Sequence, residues 1–263
     1  MGSSMVLRAG AATDVGRVRQ HNEDNLLAEG SVFVVADGMG GHAAGEVASG
    51  IVVETMAGLV HRDRLRPEDI VAALGESNAR ILQSVARHPE QTGMGTTATG
   101  LAVVTAGGSD HWAVFNIGDS RVYRLIGGEL SLVTVDHSEV QEMVDAGLIT
   151  EQEAARHPLR NVVTRSLGTE TMPNPDVWVF PPHPGERFVL CSDGLSNELG
   201  REQIEHVVTA HDDPQEAAEA LVRAAVDAGG RDNVTAIVVA LDAGDEDDSD
   251  VDTSPRNGVG SQA

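Results

Sequence analysis

Residues 31–46, SVFVVADGMGGHAAGE, run a short apolar stretch into Asp37-Gly38 and then spend further glycines before a helical pattern begins. A bounded run of this kind reads as a buried strand, so Asp37 is delivered to the edge of a sheet. A single such acid would do no more than cap the next turn. The design recurs, however. RFVLCSDGLSNE ends a second strand in Asp193-Gly194, WAVFNIGDSR ends a third in Gly118-Asp119, and GGRDNVTAIVVA inverts the order, with Asp232 just before a strand. If that last strand runs antiparallel to the one ending near Asp193, both acids lie at the same end of the sheet, and four carboxylates converge with no lysine among them. Like charges in a partly buried site raise one another's free energy, so such a cluster persists only where a cation offsets it. Hard divalent ions do so, because Mg²⁺ and Mn²⁺ prefer carboxylate, carbonyl and water oxygens. Gly38, without a Cβ, lets its own carbonyl approach such an ion closely.

The elements that must carry these acids can be traced along the chain. A strand is expected over 6–13, then the polar turn DVGRVRQHNEDN and a short strand into Ser31. Small and apolar residues at helical spacing predict a helix from 43 to about 61, and a second over 67–88 with Ile70, Leu74, Ile81, Leu82 and Val85 on one stripe and Pro67 in its first turn. Runs at 96–105, 111–117, 121–126 and 129–135, separated by glycine-containing turns, predict an antiparallel meander. Residues 136–165 break that rhythm with a short helix, a capping box at Thr150 and Glu153, and the basic segment RHPLRNVVTR. Helices over 201–210 and 214–228, the latter with Asp213 and Glu216 in capping-box spacing, precede a closing strand over 234–241. Strands and helices segregated in this way indicate an α+β layered sandwich.

With 263 residues and 41% apolar content the chain can bury a sizeable core, and one domain over 6–241 is expected. The opening MGSS reads as an expression-tag remnant or flexible N-terminus (residues 1–5), and residues 242–263, with seven acids and one arginine, read as a disordered acidic tail. A formal charge of −23 argues against nucleic acid as a partner. No apolar window is long enough to span a membrane and no secretion signal is evident, so a cytoplasmic monomer is expected. The single Cys191 precludes an internal disulfide, and Asn197 stands where a thiol-nucleophile phosphatase would need its arginine.

The segments NED (22–24), DGMGGH (37–42), MGTT (94–97), GDSR (118–121), SDGL (192–195) and RDN (231–233) resemble, in this order and spacing, the metal-dependent serine/threonine protein phosphatases of the type 2C class, bacterial branch. The similarity extends from about Leu7 to Leu241. It implies a four-layer αββα sandwich, two antiparallel sheets flanked by helix pairs, with a binuclear metal centre at one end of the sheets. By position, the resemblance makes Asp37 the carboxylate bridging both metals and Asp193 and Asp232 ligands of the first. The Gly38 carbonyl and Glu23 then serve the second metal, directly or through water, and Asp24 hydrogen-bonds the metal waters. Arg19, four residues before Glu23, matches the phosphate-binding arginine, and Asp119 the acid near an additional, weaker metal.

One departure stands out. Eukaryotic relatives carry a histidine after the Asp-Gly pair as general acid, but here Met39 occupies that place, leaving His42 or a metal-bound water for the task. The activity implied is hydrolysis of phosphoserine and phosphothreonine on proteins by a hydroxide bridging two Mn²⁺ or Mg²⁺ ions. Such an enzyme would oppose serine/threonine kinases in bacterial signalling; phosphorylated anti-sigma-factor antagonists are alternative substrates, and a catalytically weak phosphoprotein-binding regulator is the alternative role. Residues 136–165 are expected to form a flap whose Arg156, Arg160 and Arg165 offer anionic phosphopeptides a basic approach on an acidic protein. A nucleotide loop is a poor reading of GMGTTATG, which leads into a strand rather than a helix.

Overall fold

The computed structural model describes residues 5–40 and 44–242. His42, the first four residues and the acidic segment after Asp242 lie outside the described residues. The two most apolar strands explain the architecture. In β11 (Val234–Leu241) every position is buried. Val234, Ala236 and Val238 pack on one side with residues of α6 (Arg201–Ala210) and α7 (Pro214–Ala228), while Ile237, Val239 and Leu241 pack on the other with Phe33, Leu101 and Trp112. In β3 (Val32–Met39), Val32, Val34 and Ala36 pack beneath α1 (Ala44–Ala57) and α2 (Pro67–Arg87), and Phe33 and Val35 face the opposite sheet. A continuous apolar run is what a strand covered on both faces requires.

The order of layers follows. One sheet runs β1-β11-β10-β7-β8, from β1 (Leu7–Asp14), β10 (Arg187–Cys191), β7 (Arg121–Ile126) and β8 (Glu129–Leu132) around β11. The other runs β2-β3-β5-β6-β9, from β2 (Asp24–Glu29), β5 (Ala98–Ala106), β6 (Ser109–Ile117) and β9 (Asp176–Phe180) around β3, with β4 (Gly95–Thr96) paired to the end of β3. All pairings are antiparallel. The expected four-layer α+β sandwich is therefore the fold. Among the described residues no helix is long and apolar enough to cross a membrane.

Several boundaries differ from expectation, each for a local reason. The four strands read as one meander belong to two sheets: β5 and β6 pair in one, β7 and β8 in the other. The chain crosses between sheets at Gly118-Asp119-Ser120, where Gly118 has φ +113° and a Cβ would stand 2.5 Å from Thr97 Cγ2. The strand expected over 96–105 divides at Thr97, whose N–H turns aside to the Asp37 carbonyl at 2.9 Å. β8 stops at Leu132 because the Thr134 hydroxyl takes the Val122 N–H at 3.1 Å in place of a backbone partner. α1 ends at Ala57, where Gly58, Leu59 and Val60 tighten into three-residue turns. Asp213 caps α7 by accepting the Gln215 and Glu216 N–H groups, with no return bond from the Glu216 side chain. Strand β9 was not anticipated, although its DVWVF run carries β-branched and aromatic residues between prolines.

The interrupting segment holds α3 (Glu139–Asp145) and α4 (Glu151–Ala154), and the Thr150–Glu153 capping box forms as expected. One four-residue helix, α5 (Asp193–Ser196), follows β10.

Candidate active site

Antiparallel pairing of β10 with β11 sets Cys191 opposite Ala236. The residues just beyond one strand's end and just before the other's start, Asp193 and Asp232, therefore share one end of the sandwich. Asp37 lies at the same end on the other sheet, opposite Asp24 of β2. It is held inside β3 rather than at its terminus, because Gly38 and Met39 go on to pair with Thr96 and Gly95. The crossover turn brings up Asp119, 7% exposed. The expected convergence is present: the Asp37 and Asp193 carboxyls lie within hydrogen-bonding reach of each other, and Asp37 feels the charges of Asp24, Asp193, Asp119 and Asp232.

Burial, reinforced by those neighbours, pushes the carboxyls up. Asp193 rises to about 6 and Asp119 to about 8, while Asp37 stands well above the usual carboxylate range. Asp24 rises to about 7, although its Oδ2 accepts hydrogen bonds from Ser192 Oγ at 2.8 Å and Thr235 Oγ1 at 2.7 Å. Its Oδ1 is buried without a partner. Two guanidinium groups temper the cluster. Arg19 Nη2 donates to Asp232 Oδ2 at 2.6 Å, and Arg121, bidentate on Asp136, lies near enough to lower Asp193 and Asp119.

The remaining family-like segments supply the clamps. Thr97 Oγ1 accepts the Asp37 N–H at 2.9 Å, and Thr96 Oγ1 donates to the Asp37 carbonyl at 2.9 Å, so MGTT fixes the backbone of the central acid. Thr97 Oγ1 also meets Ser120 Oγ of GDSR at 2.9 Å. Asn233 accepts the Glu23 N–H at 2.8 Å and donates to the Val15 and His21 carbonyls, each at 2.9 Å, pinning the loop that carries Arg19 and Glu23. A Cβ on Gly38 would lie 2.2 Å from the Gly45 carbonyl oxygen, so only glycine lets α1 approach β3 here. Sequence reasoning missed Thr97, Ser120, Ser192, Asn233 and Thr235 as positioning residues; for the first four, their presence inside the family-like segments was the available signal, and Thr235 lies two residues beyond the last of them.

The donor set suits a hard cation. Carboxylates that burial and mutual repulsion disfavour as anions, an acid oxygen left without a partner and a close-packed glycine carbonyl are groups that a divalent ion would satisfy. Among the described residues, however, no three acid, imidazole or thiol side chains close around a common point as a finished cage. Asp232 is turned to Arg19, Asp24 to its two hydroxyls and Asp37 to Asp193.

Of the basic groups expected to meet substrate, Arg19 is at the site and Arg160, with Arg156, lines a cavity of about 640 Å³ that reaches Asp119 and Asp193. Arg165 is not among the residues lining that cavity. Its Nη1 donates to Asp176 Oδ1 at 3.4 Å and lies 3.2 Å from His137 Nε2, bracing the end of the 136–165 segment. His137 in turn accepts the Gly118 N–H at Nδ1, 3.1 Å away, and so supports the turn that presents Asp119. Cys191, buried and pushed up to about 12, has no thiolate to offer at neutral pH.

The comparison with known sequences decides the family. A model of "Protein phosphatase 2C" matches residues 16–228. The chain belongs to that family. Among curated relatives, serine/threonine protein phosphatase PstP of Mycobacterium tuberculosis is 40% identical over 240 residues, 89% of this chain and 45% of the relative. The chain thus spans about half of that relative's length. Serine/threonine phosphatase stp of Listeria monocytogenes is 34% identical over 245 residues, 88% of this chain and 94% of the relative. The crystal structure of the M. tuberculosis PstP phosphatase superposes with a TM-score of 0.83 at 39% identity, covering 90% of this chain and 99% of that one. The PstP catalytic domain in complex with two manganese ions gives 0.81 at 38% identity, covering 91% and 100%. These protein phosphatase 2C structures share the sandwich, and they set the carboxylate end of this chain beside proteins described as phosphatases.

Proposed function

We propose that this chain is a divalent-metal-dependent phosphatase that hydrolyses phosphoserine and phosphothreonine on proteins. The observation that carries the reading is the meeting of Asp37, Asp193, Asp119 and Asp232 at one end of the sandwich, in a chain whose relatives are named serine/threonine phosphatases. Asp37, Asp193 and Asp232, with the Gly38 carbonyl and Glu23, would hold two ions, and Asp119 a further one. A relative's catalytic domain carries two manganese ions, and Mn²⁺ or Mg²⁺ is the corresponding assignment here. When bound, such ions supply the positive charge that acidifies a water and neutralises the phosphate.

The chain's own groups do the remaining work. Arg19, now paired with Asp232, has a planar fork able to grip two phosphate oxygens and orient the ester for in-line attack. Asp24, held by two hydroxyls, has Oδ1 free to accept a hydrogen bond from a water at the site. Thr97 and Asn233 keep the backbones of Asp37 and Glu23 from drifting as charge develops. The buried thiol of Cys191 takes no part, so no phosphoenzyme need form.

Kinases and the proteins they modify are the substrates that this chemistry would reverse. The test is turnover of p-nitrophenyl phosphate and a phosphothreonine peptide with Mn²⁺, with and without EDTA. Metal-dependent release of phosphate from both is expected. Phosphopeptide binding without turnover would instead favour the regulatory reading.

A further inference from the structure

The cavity beside the candidate site carries both signs of charge. Its inner, more buried end holds Asp119 and Asp193; its outer, exposed end holds Arg156 and Arg160, on the segment after α4, with Glu151 of α4 an acid among the exposed lining residues and Asp136 also in the lining. Its other arginines are already used: Arg121 is bidentate on Asp136, and Arg231 is held by both oxygens of Glu198. Arg156 and Arg160 are exposed and form no salt bridge among the described residues. On a chain of net charge −23, two arginines that line one concave site without an acidic partner are a local departure from the acidic whole. Val140 and Val144 of α3 add an apolar face to the lining. About 640 Å³ is room for a few amino-acid residues rather than for a single phosphoryl group.

We infer that this cavity is a specificity site for the peptide around the phosphorylated residue, and that its outer end takes an anionic side chain, a carboxylate or a second phosphate, on Arg156 and Arg160. The inference rests on the phosphatase reading above and adds to it the class of sequence preferred. A phosphoryl group enters at the inner end, where divalent ions, if bound by Asp37, Asp193 and Asp232, would offset the carboxylates. The neighbouring residues then lie along the valine face, and an acid among them reaches the arginines. A lysine or arginine in the same place meets like charge. Because both guanidinium groups are exposed, the preference is one of charge-assisted contacts screened by solvent, about fivefold to tenfold in kcat/KM.

A phosphothreonine peptide of otherwise neutral sequence, varied one position at a time within three residues on either side of the phosphothreonine, tests this. Each position carries in turn alanine, aspartate, a non-hydrolysable phosphonate or lysine, and phosphate release is followed with Mn²⁺ supplied. At one or more positions aspartate or phosphonate should exceed alanine about fivefold and lysine should fall below it, with the preference fading at high ionic strength. In Arg156→Gln/Arg160→Gln the ratio should fall toward one, with circular dichroism unchanged. Preference for both anions assigns a general anion site, and preference for the phosphonate alone assigns a second phosphate. An aspartate-to-alanine ratio of one at every position together with a phosphonate ratio of one, or a ratio unaltered in the double variant, overturns the inference while leaving the phosphatase reading intact. Absence of turnover of every peptide and of p-nitrophenyl phosphate overturns both.

Discussion

Asp24→Asn is expected to stabilise the metal-free protein at neutral pH while weakening its grip on divalent ions. Asp24 is 6% exposed, and its Oδ2 accepts from Ser192 and Thr235 while Oδ1 has no partner. Burial is the main reason its pKa climbs from an ordinary 3.8 to about 7; the two hydroxyls oppose the shift and the charges of Asp193 and Asp232 add to it. The folded state therefore binds this proton more tightly than the unfolded chain does. The penalty is absent below the ordinary value, grows as pH rises, and is complete above the folded value. At about 1.4 kcal/mol per unit the ceiling is roughly 4 kcal/mol, and proton sharing among the neighbouring acids and local relaxation reduce it to about 2 kcal/mol. Asparagine keeps the shape and an oxygen for both hydroxyls but removes the charge. In a domain of this size about 2 kcal/mol corresponds to roughly 5 °C in Tm, so the variant should melt about that much higher in EDTA near pH 7.5. The two melting temperatures should converge near pH 4. Calorimetric titration should show weaker Mn²⁺ binding by the variant. A variant of native circular dichroism that melts at or below the parent in EDTA near pH 7.5 would refute the reasoning.

Asp37→Asn or Asp193→Asn should lower turnover by more than about 100-fold with the fold intact, since each removes charge from the middle of the donor set; full activity in either would remove it from the centre. Arg19→Ala should cost about 2 kcal/mol in kcat/KM, mostly through KM, with Arg19→Lys intermediate, and equal KM values for all three would show that Arg19 does not touch phosphate. Asp119→Ala should retain two tightly bound Mn²⁺ ions in a calorimetric titration yet lose much of its phosphopeptide turnover, whereas unchanged turnover at limiting Mn²⁺ would make Asp119 a turn-former only. At the opposite end of the sandwich, fully buried Glu186 joins Trp112 Nε1 of one sheet to Arg124 of the other. Glu186→Ala should therefore destabilise by about 3 kcal/mol in urea melts and leave the kinetic constants alone, while a loss under about 1 kcal/mol would mean that the pair is dispensable.

What the sequence disclosed, and what it hid, follows from the range over which each force acts. Continuous apolar runs such as 234–241 announce strands covered on both faces, and an acid at the end of such a run has to emerge at an edge, so the convergence of Asp193 and Asp232 could be argued from local pattern plus one assumption of antiparallel pairing. Periodicity is silent about which sheet a strand joins. The crossing at Gly118-Asp119-Ser120 turned an expected meander into two hairpins, and that crossing is what carries Asp119 to the cluster. The clamps were hidden for the same reason: Thr235 lies 211 residues from the Asp24 it supports, and Thr97 lies 60 from Asp37, so nothing local says which acid either hydroxyl serves. Arg156, Arg160 and Arg165 are equivalent as letters in one basic segment, yet the bridge between Ser138 and Val163 draws the end of that segment back toward its start and places Arg165 against Asp176, leaving the other two to line the cavity. Charge count could identify the segment. Only register could divide its arginines between bracing the segment and lining the cavity.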